Sequence, residues 1–345
     1  MGRITNLRDL VGIIKDKASQ SKAALLSKSS TQSRHLALLR ATTHDPFTPP
    51  NPKHITTFLS CGHSSRATAA TAIEALMDRL QTTRDAYVAI KCLITVHHII
   101  NHGSFILQDQ LSIYPSTGGR NHLKLSNFRD DTTPLTWELS SWVRWYALYL
   151  EHLLSTSRVL GFFLCSTSRT VEKDNQEDKV STYMNSDLQR ELNSLVSLLE
   201  EYCKRPDILL LHGNCFVGEV IGLVDEDFLS SINEVSIRAN EFKERLSCLG
   251  FDDSIELVCA LKRLEDCKEK LMVLATRKRA LIETLWGLIG ELREKVGMEK
   301  IHKEKRRLLL RGSESARFGE RVLSYADSVR FCSGRLQVNV VGFDG

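Results

Sequence analysis

The chain has 345 residues, and glycine and proline are scarce in it, at 19 and 7 residues. This scarcity argues against an all-β sandwich or barrel, because such folds need a turn about every 8–12 residues. Hydrophobic residues make up 42% of the chain, which is enough to build a core and excludes wholesale disorder. Because no apolar run approaches the roughly 18 residues of a membrane-spanning helix, composition predicts a soluble, mainly helical protein.

The positive charge is concentrated at the N-terminus. The formal net charge is only +4, yet residues 1–60 hold nine lysines and arginines against three aspartates. Such asymmetry indicates a face for an anionic partner, either a nucleic acid or an acidic membrane leaflet. A solvated basic helix is the alternative explanation.

The first predicted helix covers residues 7–26 and is amphipathic, with Leu7, Leu10, Val11 and Ile14 among its apolar residues. A second helical stretch lies near 34–40. Four prolines then fall within residues 46–52. Because proline fixes φ and disfavours helix at the residue before it, this segment is predicted to be a stiff loop.

Helical patterns then follow one another with short connections, which is typical of an α-solenoid or an irregular bundle. A charged segment near 172–179 reads as a mobile surface loop. The predicted helices cover 53–62, 65–81, 84–102, 105–112, 134–163, 186–204, 207–222, 226–248, 252–274 and 276–310.

Sequence motifs for catalysis are missing, and no enzymatic activity, cofactor or metal is predicted. Phosphate-binding glycine loops, nucleophile elbows and zinc-protease motifs do not occur. Trp142, Trp145, Tyr146 and Tyr149 have helical spacing and are predicted to form a core stripe. His97 and His98 point about 100° apart on a helix, so one is expected in the core and the other at a helix interface.

The cysteines and the N-terminal sequence both predict a cytosolic protein. The nine cysteines include no C-x-x-C pair, and most lie within apolar helical patterns, as expected in a reducing compartment. The N-terminus lacks a signal peptide and narrowly misses a myristoylation signal, because Asn6 stands where serine or threonine is needed.

The proline loop joins three groups that suit an anion. Arg40 ends one helix, and Lys53 and His54 open the next. If the loop folds back, these side chains meet at a helix N-terminus, where free N–H groups and the helix dipole favour a phosphate. The competing hypothesis is a helical nucleic-acid-binding protein, or a generic scaffold that uses the basic N-terminal face. The basic residues of 300–307 would add phosphate contacts. However, no nucleic-acid-binding signature accompanies them.

At these residues the sequence resembles the ANTH domain, the phosphoinositide-binding head of monomeric clathrin assembly proteins of the plant type. The resemblance covers about residues 20–165 in ordered blocks. The blocks are Leu39-Arg40-Ala41-Thr42-Thr43-His44-Asp45, Lys53-His54-Ile55, the segment 87–98, Leu125-Ser126-Asn127-Phe128, and the segment 141–150.

The resemblance implies an all-α fold, a right-handed α-helical superhelix of the ENTH/ANTH type with extended C-terminal helices. It implies an ENTH-like core with the amphipathic helix over 1–165, a charged loop over 166–185, C-terminal ANTH helices over 186–290, and a basic helix end with a short tail over 291–345. It also implies that Leu7, Leu10, Val11 and Ile14 enter the headgroup region of a membrane.

Function follows from the same resemblance. It implies a non-enzymatic adaptor that binds phosphatidylinositol 4,5-bisphosphate through Arg40, Lys53 and His54, with Lys28, Lys91 and Asn51 as supporting residues. The implied partners are a phosphoinositide membrane surface, clathrin heavy chain and a SNARE of the vesicle-associated membrane class, and no nucleic acid. The implied location is cytosolic and peripheral to membranes, at clathrin-coated pits, clathrin-coated vesicles and the Golgi apparatus.

Two departures from the family pattern bear on this site. Arg40 replaces a lysine and keeps its charge, whereas a second basic position falls on Asn51 or Pro52. The loss of one phosphate ligand predicts weaker or less selective lipid binding. No clathrin box is evident. The tripeptide Asp45-Pro46-Phe47 is interpreted as a turn-forming sequence in preference to an adaptor-binding motif.

Overall fold

A computed structural model describes residues 7–26, 29–115, 123–165, 176–207, 211–274 and 279–297. These residues are helical apart from turns and connections, and they contain no strand. The helices are α1 Leu7–Leu26, α2 Ser29–Ala41, α3 Pro52–Leu59, α4 Arg66–Thr82, α5 Ala86–His102, α6 Phe105–Ile113, α7 Pro134–Leu160, α8 Gln176–Ser181, α9 Asn185–Cys203, α10 Cys215–Arg245, α11 Phe251–Leu274 and α12 over 279–297.

Several of these helices have an N-cap residue with a short polar side chain. Asp85 accepts hydrogen bonds from the first N–H groups of α5, and Asn214 does so for α10. Thr133 and Thr136 form a reciprocal capping box at the start of α7, next to Pro134 at its first turn. Helix α7 ends at Leu160 and is followed by Gly161, whose φ of 76° is accessible to glycine without a Cβ clash.

Helix α5 is the central element of the N-terminal half. All of its residues except His98 and His102 are buried, and it packs against α3, α4, α7 and α10. In the C-terminal half, α9 packs against α7, α10 and α11. The chain divides into a compact unit of Met1–Val296 and a second of Gly297–Gly345, and the helical pairs of the first unit confirm the predicted all-α solenoid.

The aromatic stripe of α7 is part of the core, as predicted. Trp142, Trp145, Tyr146 and Tyr149 are all buried, and the two tryptophan rings meet edge to face. His97 is fully buried whereas His98 is partly exposed, which confirms the prediction that the two histidines differ in environment.

The prediction of two helices over 207–222 and 226–248 was wrong, since one helix, α10, runs through both. The expected break at 223–225 continues the helix because Leu223 and Val224 are buried in the core. Asp227, which follows this segment, is buried as well. Its Oδ2 accepts a hydrogen bond from the hydroxyl of Tyr149 (3.2 Å) and lies 2.8 Å from Nε2 of His97.

The expected loop over 166–185 also differs in part. Residues 166–175 lie outside the described residues, but 176–181 form the short helix α8. Val180 is fully buried against the core, and that burial favours a turn of helix over a solvated loop. The helix expected over 276–310 is described as α12 over 279–297.

No helix in the described ranges is both long and apolar enough to cross a bilayer.

Candidate functional site

The predicted phosphate ligands lie at the connection between α2 and α3. Arg40 is exposed in the last turn of α2, and Lys53 is exposed in the first turn of α3. His54 is partly buried beside them. Burial lowers the pKa of His54 below its ordinary value, and the positive charges of Arg40 and Lys53 lower that pKa further. Since α2 packs against α3, the structure places Arg40 and the Lys53–His54 pair at the adjoining ends of two packed helices.

Asn51, expected as a supporting lipid-binding residue, caps a helix instead. Its side-chain oxygen accepts a hydrogen bond from the backbone N–H of Lys53 at 2.9 Å, so Asn51 is the N-cap of α3. This hydrogen bond helps to fix the start of the helix that carries Lys53 and His54. Lys28, the other supporting residue on this side, lies outside the described residues.

Lys91 supports the site from inside the protein and not as an exposed charge. It is only 1% exposed, and its ammonium donates hydrogen bonds to Oγ1 of Thr43 (3.1 Å) and to the carbonyl oxygen of Asp45 (2.8 Å). The ammonium also lies 5.3 Å from the ring centroid of Phe216 on α10. Burial lowers the pKa of Lys91 to about 8, against the opposing effect of the Asp45 and Asp16 charges. Its expected role as a supporting ligand therefore becomes a role in holding the loop.

Helix α1 contacts the other side of this loop. Asp16 accepts a hydrogen bond from the backbone N–H of His44 (2.8 Å), and its second oxygen lies 2.7 Å from Nδ1 of the same histidine. A Cβ added at Gly12 would lie 2.7 Å from Cβ of His44, closer than such atoms approach. Glycine at this position therefore permits the helix to lie directly on the loop.

The apolar residues of α1 that were expected to enter a membrane are exposed. The exposed fractions are 46% for Leu10, 44% for Val11 and 66% for Ile14. Leu7 begins the helix, and its side chain lies outside the described residues. Three of the four expected residues are therefore placed at the surface, on the helix that packs against the loop.

A polar cleft of about 460 Å³ lies beside α1. It was not expected from the sequence, because its residues come from separate segments and share no motif. Arg79 in its wall donates to both Oγ1 and the carbonyl oxygen of Thr42, at 2.6 and 2.5 Å. The charged residues that line it are Lys15, Arg79, Arg84 and Asp85, with His44.

A second polar cluster is enclosed in the core between α5, α7 and α10. Nδ1 of His97 lies 2.7 Å from the hydroxyl of Tyr146, and Nε2 lies 2.8 Å from Asp227. Burial, followed by the charge of Asp227, raises the pKa of Tyr146 and of Tyr149 well above the ordinary value. Since all four side chains are buried, a substrate has no access to them, and the cluster joins the helices. Among the described residues no group of three or more histidines, cysteines or carboxylates is arranged to hold a metal.

Comparison with known proteins agrees with this architecture. The ANTH domain family model matches residues 35–226. A protein of Arabidopsis thaliana named "Putative clathrin assembly protein" is 56% identical over 97% of this chain and 95% of its own length.

Two more Arabidopsis thaliana proteins with names of the same form are similar along most of their length. One is 38% identical over 82% of this chain and 84% of its own length. The other is 32% identical over 85% of this chain and the whole of its own length. The chain therefore belongs to the ANTH domain family of plant clathrin assembly proteins.

Proposed function

We propose that this protein is a non-enzymatic clathrin assembly adaptor that binds phosphoinositide headgroups, phosphatidylinositol 4,5-bisphosphate among them, at the connection between α2 and α3. The observation that carries the proposal is the convergence of Arg40, Lys53 and His54. Arg40 and Lys53 are exposed at the adjoining ends of the packed helices α2 and α3, with His54 next to Lys53, and both positive charges lower the pKa of His54. An anion at this position offsets the repulsion between the two cations and favours the charged form of His54.

The three side chains take different parts in phosphate binding. Arg40 presents a planar fork of N–H donors, and Lys53 presents a compact charge, so together they suit the several oxygens of a phosphorylated ring. Burial and the two neighbouring cations lower the pKa of His54 and so disfavour its charged form before binding. A bound phosphate favours the imidazolium, so His54 takes up a proton as the headgroup binds. Each suitably placed cation adds on the order of 1 kcal/mol at an anionic surface.

Helix α1 supplies the second part of the proposed membrane contact. Leu10, Val11 and Ile14 expose about half of their surface or more to solvent. When they enter the headgroup region, burial of this apolar area adds to the charge attraction, at roughly 25 cal/mol per Å². Asp16 on the same helix holds His44, so α1 is attached to the loop that joins the proposed phosphate ligands.

Partners and location are inferred from family membership. We infer clathrin binding, peripheral attachment to membranes, and a place at coated pits and coated vesicles, because relatives along most of the chain carry clathrin assembly in their names. A SNARE partner of the vesicle-associated membrane class and a Golgi location remain predictions from the resemblance. Immunoprecipitation of the tagged full chain from plant cells tests the clathrin heavy chain and the SNARE together.

Vesicle sedimentation tests the lipid proposal. The full chain is mixed with phosphatidylcholine vesicles that contain phosphatidylinositol 4,5-bisphosphate, or with vesicles of equal surface charge that contain phosphatidylserine. We expect stronger binding to the phosphoinositide vesicles and little displacement by a double-stranded oligonucleotide at physiological salt. Equal binding to both vesicles contradicts headgroup recognition, and preferential binding to the oligonucleotide supports the nucleic-acid alternative.

A further inference from the structure

We propose that Phe47 is a membrane anchor that enters the boundary between headgroups and acyl chains when the neighbouring cations bind phosphate. The inference rests on the proposed lipid-binding function and adds a contact that the function does not require. Phe47 is 45% exposed in the loop between α2 and α3. The exposed Arg40 and Lys53 lie at the two ends of this loop.

The backbone on both sides of the Phe47 ring is held in place. Its N–H donates to Oδ1 of Asp45 at 3.0 Å, and the hydroxyl of Thr48 donates to the other carboxylate oxygen. The carbonyl oxygen of Phe47 accepts a hydrogen bond from the thiol of Cys215 on α10 at 3.3 Å. The ring is therefore presented on a fixed backbone, and little conformational entropy is lost when it binds.

Further contacts tie the base of this loop to the protein. The buried ammonium of Lys91 holds the carbonyl oxygen of Asp45, and Pro46 and Pro49 restrict the chain on either side of the ring. The half-exposed Phe47 side chain therefore lies on a loop whose backbone is held at several points.

The surroundings of the ring favour a lipid surface as its partner. Aromatic rings are enriched at the interface between headgroups and acyl chains, where an apolar body meets a polar layer. The cations at both ends of the loop are complementary to anionic headgroups, and His44 in the same loop lies against α1, which exposes Leu10 and Ile14. Charge and apolar surface thus occur together, as they do in proteins that bind membrane interfaces.

The same contacts disfavour a protein partner for Asp45-Pro46-Phe47. A domain that recognises this tripeptide by its carboxylate needs the oxygens of Asp45 as acceptors. Both oxygens already accept hydrogen bonds, from the N–H of Phe47 and from the hydroxyl of Thr48. Each oxygen can accept a further hydrogen bond, but a protein partner has to share both of them with these contacts, whereas a lipid surface makes no such demand on Asp45.

The test compares Phe47→Ala with Phe105→Ala in the full chain. Phe105 is a matched control, because it is an aromatic residue on α6 that is 77% exposed. For phosphatidylcholine vesicles with phosphatidylinositol 4,5-bisphosphate, we expect Phe47→Ala to weaken binding about fivefold, which corresponds to about 1 kcal/mol. We expect Phe47→Ala to leave the affinity for soluble inositol 1,4,5-trisphosphate unchanged, and Phe105→Ala to have no effect on vesicle binding.

A second variant, Phe47→Trp, should keep the vesicle affinity of the original protein. The fluorescence of the added tryptophan should be quenched by brominated phosphatidylcholine.

Unchanged vesicle binding by Phe47→Ala overturns the proposal, as does an equal loss of affinity for the soluble headgroup, which would show that the ring only shapes the loop. Loss of vesicle binding in Arg40→Ala with Lys53→Ala, together with unchanged binding by Phe47→Ala, overturns this inference alone. If the unaltered protein does not bind phosphoinositide vesicles, the proposed function fails and the anchor fails with it.

Discussion

The buried ammonium of Lys91 on α5 donates a hydrogen bond to the backbone carbonyl oxygen of Asp45, with 2.8 Å between the two atoms. The same ammonium donates to Oγ1 of Thr43, so one core side chain holds the loop that separates Arg40 from Lys53. The aliphatic stem of a lysine is apolar, but its charge is costly to bury. The buried ammonium lies where it can donate hydrogen bonds to the loop residues Thr43 and Asp45.

Replacement of Lys91 by methionine tests this relationship through pH. Burial lowers the pKa of Lys91 to about 8, whereas an unfolded lysine has a pKa near 10.4. Between these values the unfolded chain binds more protons, so the Lys91 contribution to the free energy of unfolding rises with pH. From pH 7.5 to 9.5 we expect the original protein to gain about 2 kcal/mol relative to Lys91→Met. Urea unfolding at both pH values measures the difference, and a difference that does not change with pH contradicts the buried charge.

A second pH prediction concerns His54 and lipid affinity. The pKa of His54 is lowered by burial and by two neighbouring cations, and a bound phosphate is expected to raise it. Binding therefore takes up a proton and becomes stronger as the pH falls. We expect the affinity ratio of the original protein to His54→Gln to rise about two- to fivefold between pH 7.5 and 6. Vesicle sedimentation at both pH values measures this ratio. Since titration of the lipid phosphates affects both proteins equally, a constant ratio contradicts a role for the imidazole.

Gly12 provides a test of the contact between α1 and the loop. A Cβ at this position would lie 2.7 Å from Cβ of His44, so Gly12→Val should separate the two elements or cost about 1–3 kcal/mol in overpacking. We expect faster amide hydrogen exchange in α1 and at His44. Gly218→Ala is the control, because a Cβ there meets no atom within 4 Å, and alanine is the better helix former. Unchanged exchange in Gly12→Val means that α1 does not lie on the loop.

Asp227 joins the two halves of the compact unit, and its loss should be costly. It is fully buried, and it accepts a hydrogen bond from Tyr149 beside His97. Asp227→Ala leaves both partners buried without their acceptor, so we expect a loss of about 3 kcal/mol in the free energy of unfolding. Glu226→Ala, at the exposed neighbouring position, should change that energy by less than about 0.5 kcal/mol. Urea unfolding compares the two, and equal effects would show that the buried cluster contributes no stability.

The elements that were predicted correctly are those determined by residues close together in the sequence. The four aromatic residues of α7 have helical spacing, and such spacing places them on one face whatever the rest of the chain does. The loop between α2 and α3 was predicted because proline acts on its immediate neighbours. Local chemistry thus indicated much of the helical fold and the position of the candidate site.

The errors arose where distant residues decide the environment of a side chain. The break expected at 223–225 is helical because Leu223 and Val224 are buried in the core. Asp227 beyond it is enclosed by His97 from α5 and Tyr149 from α7. Lys91 appears to be an available charge, but it is buried because Thr43 and Asp45 lie against it. A periodicity argument does not indicate which segments meet, so it does not predict these partners.

Vesicle sedimentation of Arg40→Ala combined with Lys53→Ala tests the central claim most directly. The control combines Arg190→Ala with Lys262→Ala, which removes the same charge from exposed positions on α9 and α11. For vesicles containing phosphatidylinositol 4,5-bisphosphate, we predict that the first pair weakens binding by about tenfold or more, since each cation contributes on the order of 1 kcal/mol. The control pair should stay within about twofold of the original protein. Unchanged binding by the first pair, or an equal loss in both pairs, would contradict a phosphoinositide site between α2 and α3.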